Sequence, residues 1–122
     1  MASGKEIGEY SLKFTSFTLT PGPAGSTLIQ GNCEGLATGY GTVLGTLTAV
    51  GGKSGTLSWC AAGYLDNADQ LSGTGSGTYE SIGKHRWRTQ VLVQVSDGRT
   101  ITIEGEVDLA SRSWNGKLFE RS

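Results

Sequence analysis

The chain has 122 residues, enough for one domain whose hydrophobic core needs neither disulfides nor metal. Its 10 Lys and Arg residues nearly balance 11 Asp and Glu, and no basic run occurs. This balance argues against nucleic acid and anionic membrane surfaces as partners. We predict one domain over residues 1–122. Because Met1–Glu6 is small and polar and no apolar run approaches ~18 residues, we expect a soluble, cytoplasmic protein; secretion after removal of a signal peptide stays open.

The first predicted strand is Ile7–Thr20, in which apolar residues alternate with polar ones. The alternation changes phase between Phe14 and Phe17, which predicts a β-bulge near Thr15 and Ser16. The segment Pro21–Gly25 then breaks regular structure and forms a loop, because its two prolines and two glycines cannot extend a strand.

The second strand, Ser26–Ala37, has two possible inward faces. One carries Ile29, Cys33 and Ala37; the other carries Leu28, Gln30, Asn32, Glu34 and Leu36. If the second face points inward, Glu34 is a buried carboxylate and a candidate catalytic base or ligand anchor. The first face is favoured as the inward one, because small residues occupy the same alternate positions as Cys33.

Two further strands, Tyr40–Val50 and Ser54–Tyr64, flank a predicted hairpin turn at residues 51–53. The register of this turn places Leu47 opposite Leu57 and Trp59 opposite Gly45.

After a polar loop at Leu65–Gln70, the fifth strand is predicted over Leu71–Glu80, with three glycines on one face. The next turn, at residues 81–83, has the same Ser-x-Gly form as residues 96–98. Equal treatment of both turns pairs Tyr79 with His85, Glu80 with Lys84 and Gly77 with Trp87, so that glycines make room for large rings.

The clearest element is a hairpin over Gly83–Ala110, with a three-residue loop in which Gly98 takes the left-handed conformation. Its inner pairs are predicted as Val93 with Ile101, Val91 with Ile103, Thr89 with Gly105, Trp87 with Val107 and His85 with Leu109. Its outer pairs are Gln90 with Glu104, Arg88 with Glu106 and Arg86 with Asp108. Apolar and charged positions agree on this one register.

The last strand is predicted over Ser113–Arg121, with Trp114 beside Leu109 and Gly116 beside Val107. The count reaches about eight antiparallel strands joined by short turns, with no segment of helical periodicity. The pattern predicts an all-β fold, a closed up-and-down barrel, because closure removes exposed sheet edges. The alternative is a β-sandwich.

These registers bring six side chains together as a candidate ligand site. Tyr79, His85, Leu109 and Trp114 form one row near a mouth of the barrel, and Trp59 and Trp87 form an apolar floor deeper inside. His85 is the only histidine, so it and Glu34 are the candidate catalytic acid or base. The competing interpretation is a barrel filled by side chains, in which His85 is a structural residue at the rim.

Other chemistry is not indicated. One histidine and two distant cysteines give no zinc pattern, no G-x-S-x-G or P-loop motif occurs, and no cofactor or metal is expected. Asp66, Asn67 and Asp69 are oxygen donors, but their spacing does not fit a calcium loop. Cys33 and Cys60 are predicted to be free, buried thiols.

The outer faces of three successive strands carry short, uncharged side chains: Thr42, Thr46, Thr48, Thr56, Ser58, Thr74 and Ser76. Such a surface is typical of a subunit interface, and a homo-oligomer is therefore expected. The alternative is the ordinary preference of threonine for exposed strand positions.

The run GLATGYGTVLGTLTA, followed by a Gly/Thr-rich strand and short hairpins, resembles the allene-oxide-cyclase-like barrels, calycin-type proteins related in shape to dirigent proteins. The resemblance covers about half of the chain and includes no catalytic motif. It implies an oligomeric barrel that binds a hydrophobic small molecule and, in some members, steers its cyclisation.

Three functions follow as hypotheses. The first is a barrel that binds a hydrophobic or aromatic small molecule in its lumen. The second is a cofactor-free cyclase or isomerase in which the pocket folds the substrate. The third is a structural homo-oligomer whose lumen is filled.

Overall fold

The computed structural model describes residues 4–120, which form a closed barrel of eight antiparallel strands in chain order. The predicted up-and-down barrel is confirmed, and the β-sandwich alternative is wrong. The strands are β1 Glu6–Pro21, β2 Thr27–Ala37, β3 Gly41–Val50, β4 Ser54–Tyr64, β5 Gln70–Gly83, β6 Arg86–Val95, β7 Thr100–Asp108 and β8 Ser113–Glu120. A single 3-10 turn, Pro23–Gly25, lies between β1 and β2. The predicted end of the last strand at Arg121 lies outside the described residues.

The β6–β7 hairpin has the register that its pattern predicts. Val93 pairs with Ile101, Val91 with Ile103, Thr89 with Gly105 and Trp87 with Val107. Gly98 takes a φ of 98°, and Asp97 fixes the turn because its carboxylate accepts the backbone N–H of Arg99 at 3.1 Å. A glycine in the left-handed region and an adjacent Asp acceptor together specify this loop.

The two arginines on the outside of this hairpin do not contact the partners predicted for them in β7. Arg86 reaches Glu106 at 2.7 Å, and Arg88 reaches Glu80 of β5 at 3.4 Å. The predicted Glu80–Lys84 pair is wrong because the β5–β6 register places Glu80 opposite Arg88. The β6–β7 pairing is as predicted, but Arg86 bonds diagonally to the residue beside its partner Asp108, and Arg88 bonds directly across to β5 on its other side.

The first two strands settle the question of which face of β2 points inward. A bulge between Phe14 and Ser16 confirms the predicted phase change in β1. Phe14 then pairs with Cys33, and both are buried, whereas Gln30, Asn32 and Glu34 are exposed. The favoured face is therefore the inner one, and the alternative that made Glu34 a buried carboxylate is wrong.

Three predicted registers differ from the structure, each by an even number of positions, so inward and outward faces are unchanged. Trp59 pairs with Leu47 instead of Gly45, and Leu57 pairs with Ala49. Trp114 pairs with Val107 instead of Leu109, and Gly116 with Gly105. Tyr79 pairs with Thr89 instead of His85, and Gly77 with Val91 instead of Trp87.

The β5–β6 difference comes from the chemistry of the turn. Residues 84 and 85 form the turn, with His85 in the left-handed region at a φ of 57°, and the strands rejoin at the pair Gly83 and Arg86. The analogy with residues 96–98 fails because Ile82 stands where Asp97 stands in the other turn. Ile82 has no side-chain acceptor to hold the backbone N–H that follows.

The other two differences have local causes as well. At β3–β4, the Val50 carbonyl accepts a hydrogen bond from the Tyr79 hydroxyl, and the Gly51 N–H donates to Thr27 of β2 at 2.8 Å, so the end of β3 turns toward other partners. At β7–β8, the Asp108 carboxylate accepts the N–H of Ala110 at 3.0 Å, and Arg112 takes a φ of 55°. A four-residue turn results.

The glycines of β5 allow close approach of backbone rather than of rings. A β-carbon added at Gly75 or Gly77 would collide with the backbone of β6. Glycines on other strands do make room for rings, because the Trp59 ring lies directly over Gly45 and the Phe14 and Phe17 rings lie over Gly31. The strongly curved wall therefore requires glycine where adjacent strands come closest.

Candidate functional site

The strand order gives the barrel two distinct mouths. We call one the Trp87 mouth; it contains the turns that join β1 to β2, β3 to β4, β5 to β6 and β7 to β8. The opposite Tyr40 mouth contains the remaining three turns and the two ends of the described chain. The side chains that point into the lumen differ in which of these two mouths they lie nearer to.

An aromatic cluster fills the middle of the lumen. Trp114 is 0% exposed, and its ring packs edge-on against Trp59 at 4.9 Å and Tyr10 at 5.7 Å. The Phe14 ring is nearly parallel to Trp114 at 6.3 Å and also stacks on Phe17 at 5.0 Å. Edge-to-face and stacked contacts of this kind hold rings in fixed positions. The lumen is therefore divided into two separate spaces.

The space toward the Tyr40 mouth is small. It has a volume of about 70 Å³ and an apolar wall that includes Trp59, Val93 and Ile103. Tyr40 contributes to its wall, and the Arg99 guanidinium lies over the Tyr40 ring at 5.0 Å. A space of this size is below the volume of ordinary ligand pockets, about 300 Å³ or more.

The space toward the Trp87 mouth is larger and open. It has a volume of about 310 Å³, and we call it the Trp87 pocket. Its lining is almost entirely apolar: Phe14, Phe17, Leu19, Ile29, Leu47, Gly51, Gly52, Leu57, Tyr79, Trp87, Thr89, Val107 and Leu109. Leu19 and Leu109, together with the turn glycines Gly51 and Gly52, are exposed at the rim, and the rest of the wall is buried or half-buried. Its volume lies at the lower end of the ordinary range for small-molecule sites.

The polar groups in this wall are already satisfied by the protein. The Tyr79 hydroxyl donates to the Val50 carbonyl, and the Trp87 indole N–H donates to the Gly52 carbonyl at 3.3 Å. Thr89 donates to Gly105 at 3.1 Å. Since these donors have protein acceptors, the pocket offers a ligand mainly apolar contact.

The ionisable groups of the lumen are held in their neutral forms. Burial raises the pKa of the Cys33 thiol from 9.0 to about 12, because the thiolate would be desolvated. Burial likewise raises the pKa values of Tyr10 and Tyr79 above their ordinary value. These groups are therefore neutral near pH 7 and stay neutral further into the alkaline range than they would in water.

The structure brings three of the six predicted ligand-binding residues together. Tyr79, Trp87 and Leu109 all line the Trp87 pocket. His85 is at the same mouth, where its carbonyl accepts the Leu109 N–H at 3.0 Å, but it lies in the turn and is exposed. The predicted inward row of Tyr79, His85, Leu109 and Trp114 is wrong, because the β5–β6 and β7–β8 registers differ from those expected.

The other predicted residues lie apart from the pocket. Trp59 borders the small space on the far side of the aromatic cluster, and Trp114 is the centre of that cluster. Glu34 is on the outer wall, opposite Lys13 of β1 and Leu44 of β3. The two candidate catalytic residues, His85 and Glu34, are therefore both exposed and on different surfaces.

Sequence reasoning missed the pocket residues of the first three strands. Phe14, Phe17, Ile29 and Leu47 are inward positions whose phase was readable from alternation. Which mouth they face depends on strand stagger, which alternation does not report. The sequence could therefore predict that these side chains point into the lumen, but not their position along the barrel axis.

The structure also shows where the two cysteines and the predicted polar loop at Leu65–Gln70 lie. Both cysteines are free, as predicted, but only Cys33 is buried, and Cys60 is exposed on the outer wall of β4. Asn67 and Asp69 bond each other, with the Asp69 N–H donating to Asn67 at 3.0 Å. Within residues 4–120, no three His, Cys, Asp or Glu side chains come together as a metal site would need.

No helix within residues 4–120 has the length and hydropathy to cross a membrane. Comparison with protein-family models, with curated proteins and with solved structures finds no match to this chain.

Proposed function

We propose that the barrel binds an uncharged, apolar small molecule in the Trp87 pocket. The observation that carries this proposal is an open pocket of about 310 Å³ whose wall is apolar and whose polar groups have partners within the protein. Transfer of apolar ligand surface from water into such a space is favourable, at roughly 25 cal/mol per Å².

The composition of the rim supports binding over simple filling. Leu19 is 63% exposed and Leu109 is 40% exposed, so two leucines at one mouth face water without a partner. A ligand seated between them would cover both. The aromatic cluster supplies a rigid floor, which lowers the entropic cost of ordering the site on binding.

Carriage is better supported than turnover. A cyclase or isomerase that acts by proton transfer needs an acid or base within hydrogen-bond reach of the reacting atom. No carboxylate, imidazole or amine belongs to the described lining of the pocket. The candidate base His85 is exposed in the β5–β6 turn.

Titration with phenylnaphthylamine, an uncharged dye whose fluorescence rises in apolar surroundings, tests the proposal. We expect the wild-type protein to bind the dye, and Leu19→Asp to weaken binding about tenfold or more. The loss of one leucine contact is about 1.5 kcal/mol, which corresponds to about one order of magnitude in the dissociation constant.

The matched control is Leu36→Asp. Leu36 is 65% exposed, almost the same as Leu19, but it lies on the outer wall and not in the pocket. The dye affinity of this variant should equal that of the wild type. Absence of dye binding to the wild type, or equal loss in both variants, would contradict the proposal. Native mass spectrometry of protein purified from its own host complements the titration, because it identifies the chemical class of any molecule that copurifies.

A further inference from the structure

Charge is unevenly distributed around the outer wall of the barrel. β3 and β4 contain no Asp, Glu, Lys or Arg, and β5 contains only Glu80. The ion pairs between strands involve β1, β5, β6, β7 and β8. One side of the barrel is therefore charged, and the side formed by β3, β4 and the middle of β5 is uncharged. We call this second side the uncharged face.

Exposed hydrophobic side chains collect around the same face. Seven large hydrophobic residues in the described chain are exposed, and two of them, Leu19 and Leu109, belong to the Trp87 pocket. The remaining five lie on the uncharged face or on the strands beside it: Leu36, Leu44, Val50, Tyr64 and Leu92. None of the seven is on the outer wall of β1, β7 or β8.

Cys60 lies at the centre of this face. It is the fourth of six outward positions on β4, the middle strand of the three, and it is exposed. Its neighbours across the two ladders are Thr46 and Thr74. The side chains at the centre are thus short, while larger hydrophobic groups lie toward the perimeter.

We infer that the uncharged face is the interface of a homodimer, with Cys60 of the two copies close to each other. A surface without charge has no pattern that would select an oppositely charged partner, but it is complementary to itself because neither copy must desolvate an ion. In a two-fold symmetric dimer the same patch meets itself, and a residue at the centre of the patch meets its own copy. Short side chains at that centre allow two sheets to approach closely.

The face is small for an interface between two proteins. Three strands about 4.8 Å apart and ten residues long outline roughly 14 Å by 34 Å, or about 500 Å². Rim residues on β2 and β6 extend this area toward, but not beyond, the ~800 Å² per partner of a standard interface. Because small interfaces are typical of weak association and the centre of this face has no large anchoring side chain, we expect a dissociation constant in the micromolar range.

Sedimentation of the full chain under reducing conditions tests the interface, with Thr74→Lys as the variant and Thr18→Lys as its control. Both threonines are exposed, outward strand residues, but Thr74 adjoins Cys60 and Thr18 is on β1. Thr74→Lys should raise the dimer dissociation constant at least tenfold, because it places a charge in the desolvated contact. Thr18→Lys should leave it unchanged. Circular dichroism of both variants checks that the barrel is intact.

Crosslinking with a short bismaleimide tests the position of Cys60. The wild type should form a covalent dimer, because Cys60 is exposed and Cys33 is buried. Cys60→Ser should stay dimeric in sedimentation but give no crosslink. The inference is overturned by a wild type that stays monomeric into the millimolar range, by equal weakening in both lysine variants, or by a dimer that the reagent does not join.

Discussion

The indole N–H of Trp114 donates a hydrogen bond of 2.9 Å to the Thr89 hydroxyl, and the same hydroxyl donates to the Gly105 carbonyl at 3.1 Å. Trp114 is fully buried and Thr89 is almost so. One side-chain oxygen therefore satisfies the only polar atom of the central indole and connects β8, β6 and β7. Loss of that oxygen would leave a buried donor without a partner, which costs about 1–3 kcal/mol.

We accordingly predict that Thr89→Val lowers the free energy of unfolding by about 1–3 kcal/mol although the side-chain shape is kept. Thr89→Ser retains the hydroxyl and should cost less than Thr89→Val. Urea denaturation followed by far-UV circular dichroism measures both. No destabilisation by Thr89→Val, or a loss in Thr89→Ser as large as that in Thr89→Val, would contradict the prediction.

Trp114→Ala should lower the free energy of unfolding by about 3–5 kcal/mol, because it removes the ring against which Tyr10, Phe14 and Trp59 pack. Trp87→Ala is the comparison, since Trp87 is only partly buried at the mouth. We expect the smaller loss there. The same urea experiment serves for both, and a Trp87 variant that loses as much as the Trp114 variant would contradict the division of the lumen.

Gly77→Ala should destabilise the barrel by about 2 kcal/mol or more. A β-carbon at this position would meet the backbone of Gln90 and Val91, which cannot move aside without breaking the β5–β6 ladder. Gly83→Ala, in the same strand, meets nothing within 4 Å and should be close to neutral. Thermal melting curves of the two variants check this difference. Similar melting temperatures would mean that β6 yields more easily than its pairing suggests.

His85→Gly should raise the stability of the protein, because His85 has a φ of 57° and a residue with a β-carbon is strained there by roughly 1 kcal/mol. His85→Ala keeps the β-carbon and should bring no such gain. Since the His85 side chain is exposed, both variants should bind phenylnaphthylamine as the wild type does. A large fall in dye affinity would return His85 to the ligand site.

Stability should fall at alkaline pH because the Cys33 thiol has its pKa raised from 9.0 to about 12 in the folded protein. The unfolded chain then loses this proton first, so the stabilisation is complete below pH 9 and is lost as the pH rises toward 12. The expected slope is up to about 1.4 kcal/mol per pH unit for one thiol. Cys33→Ala should flatten the slope of unfolding free energy against pH by that amount, whatever its effect at neutral pH. An unchanged slope would mean that the thiol does not titrate in this range.

The fold was accessible from the sequence because a strand reports its faces directly. In β6 and β7 the alternation of valines and isoleucines with charged residues specifies one register, and the Asp97–Gly98 turn specifies the same one. Two independent local signals agree there. In β2, the small residues in phase with Cys33 indicated the inner face correctly.

The site was less accessible, because it depends on stagger between strands. A register error of two or four positions keeps every face correct but moves a side chain along the barrel axis. Tyr79 and His85 were paired on the analogy of two Ser-x-Gly turns, and the structure separates them because His85, not Gly83, takes the left-handed position. The β5–β6 turn sets the position of these residues along the barrel axis, and it has no side-chain acceptor from which its conformation could be predicted.

The aromatic cluster around Trp114 makes the barrel a cup with a closed bottom, not a tube. Under the proposed function, a molecule that enters past Leu19 and Leu109 would leave by the same rim, and a second molecule could bind only after the first had dissociated. The rate of ligand exchange would then be set by the rate at which the bound molecule dissociates through this one mouth. If the barrel is a carrier, a partner protein that docks at the Trp87 mouth would control the release of the bound molecule.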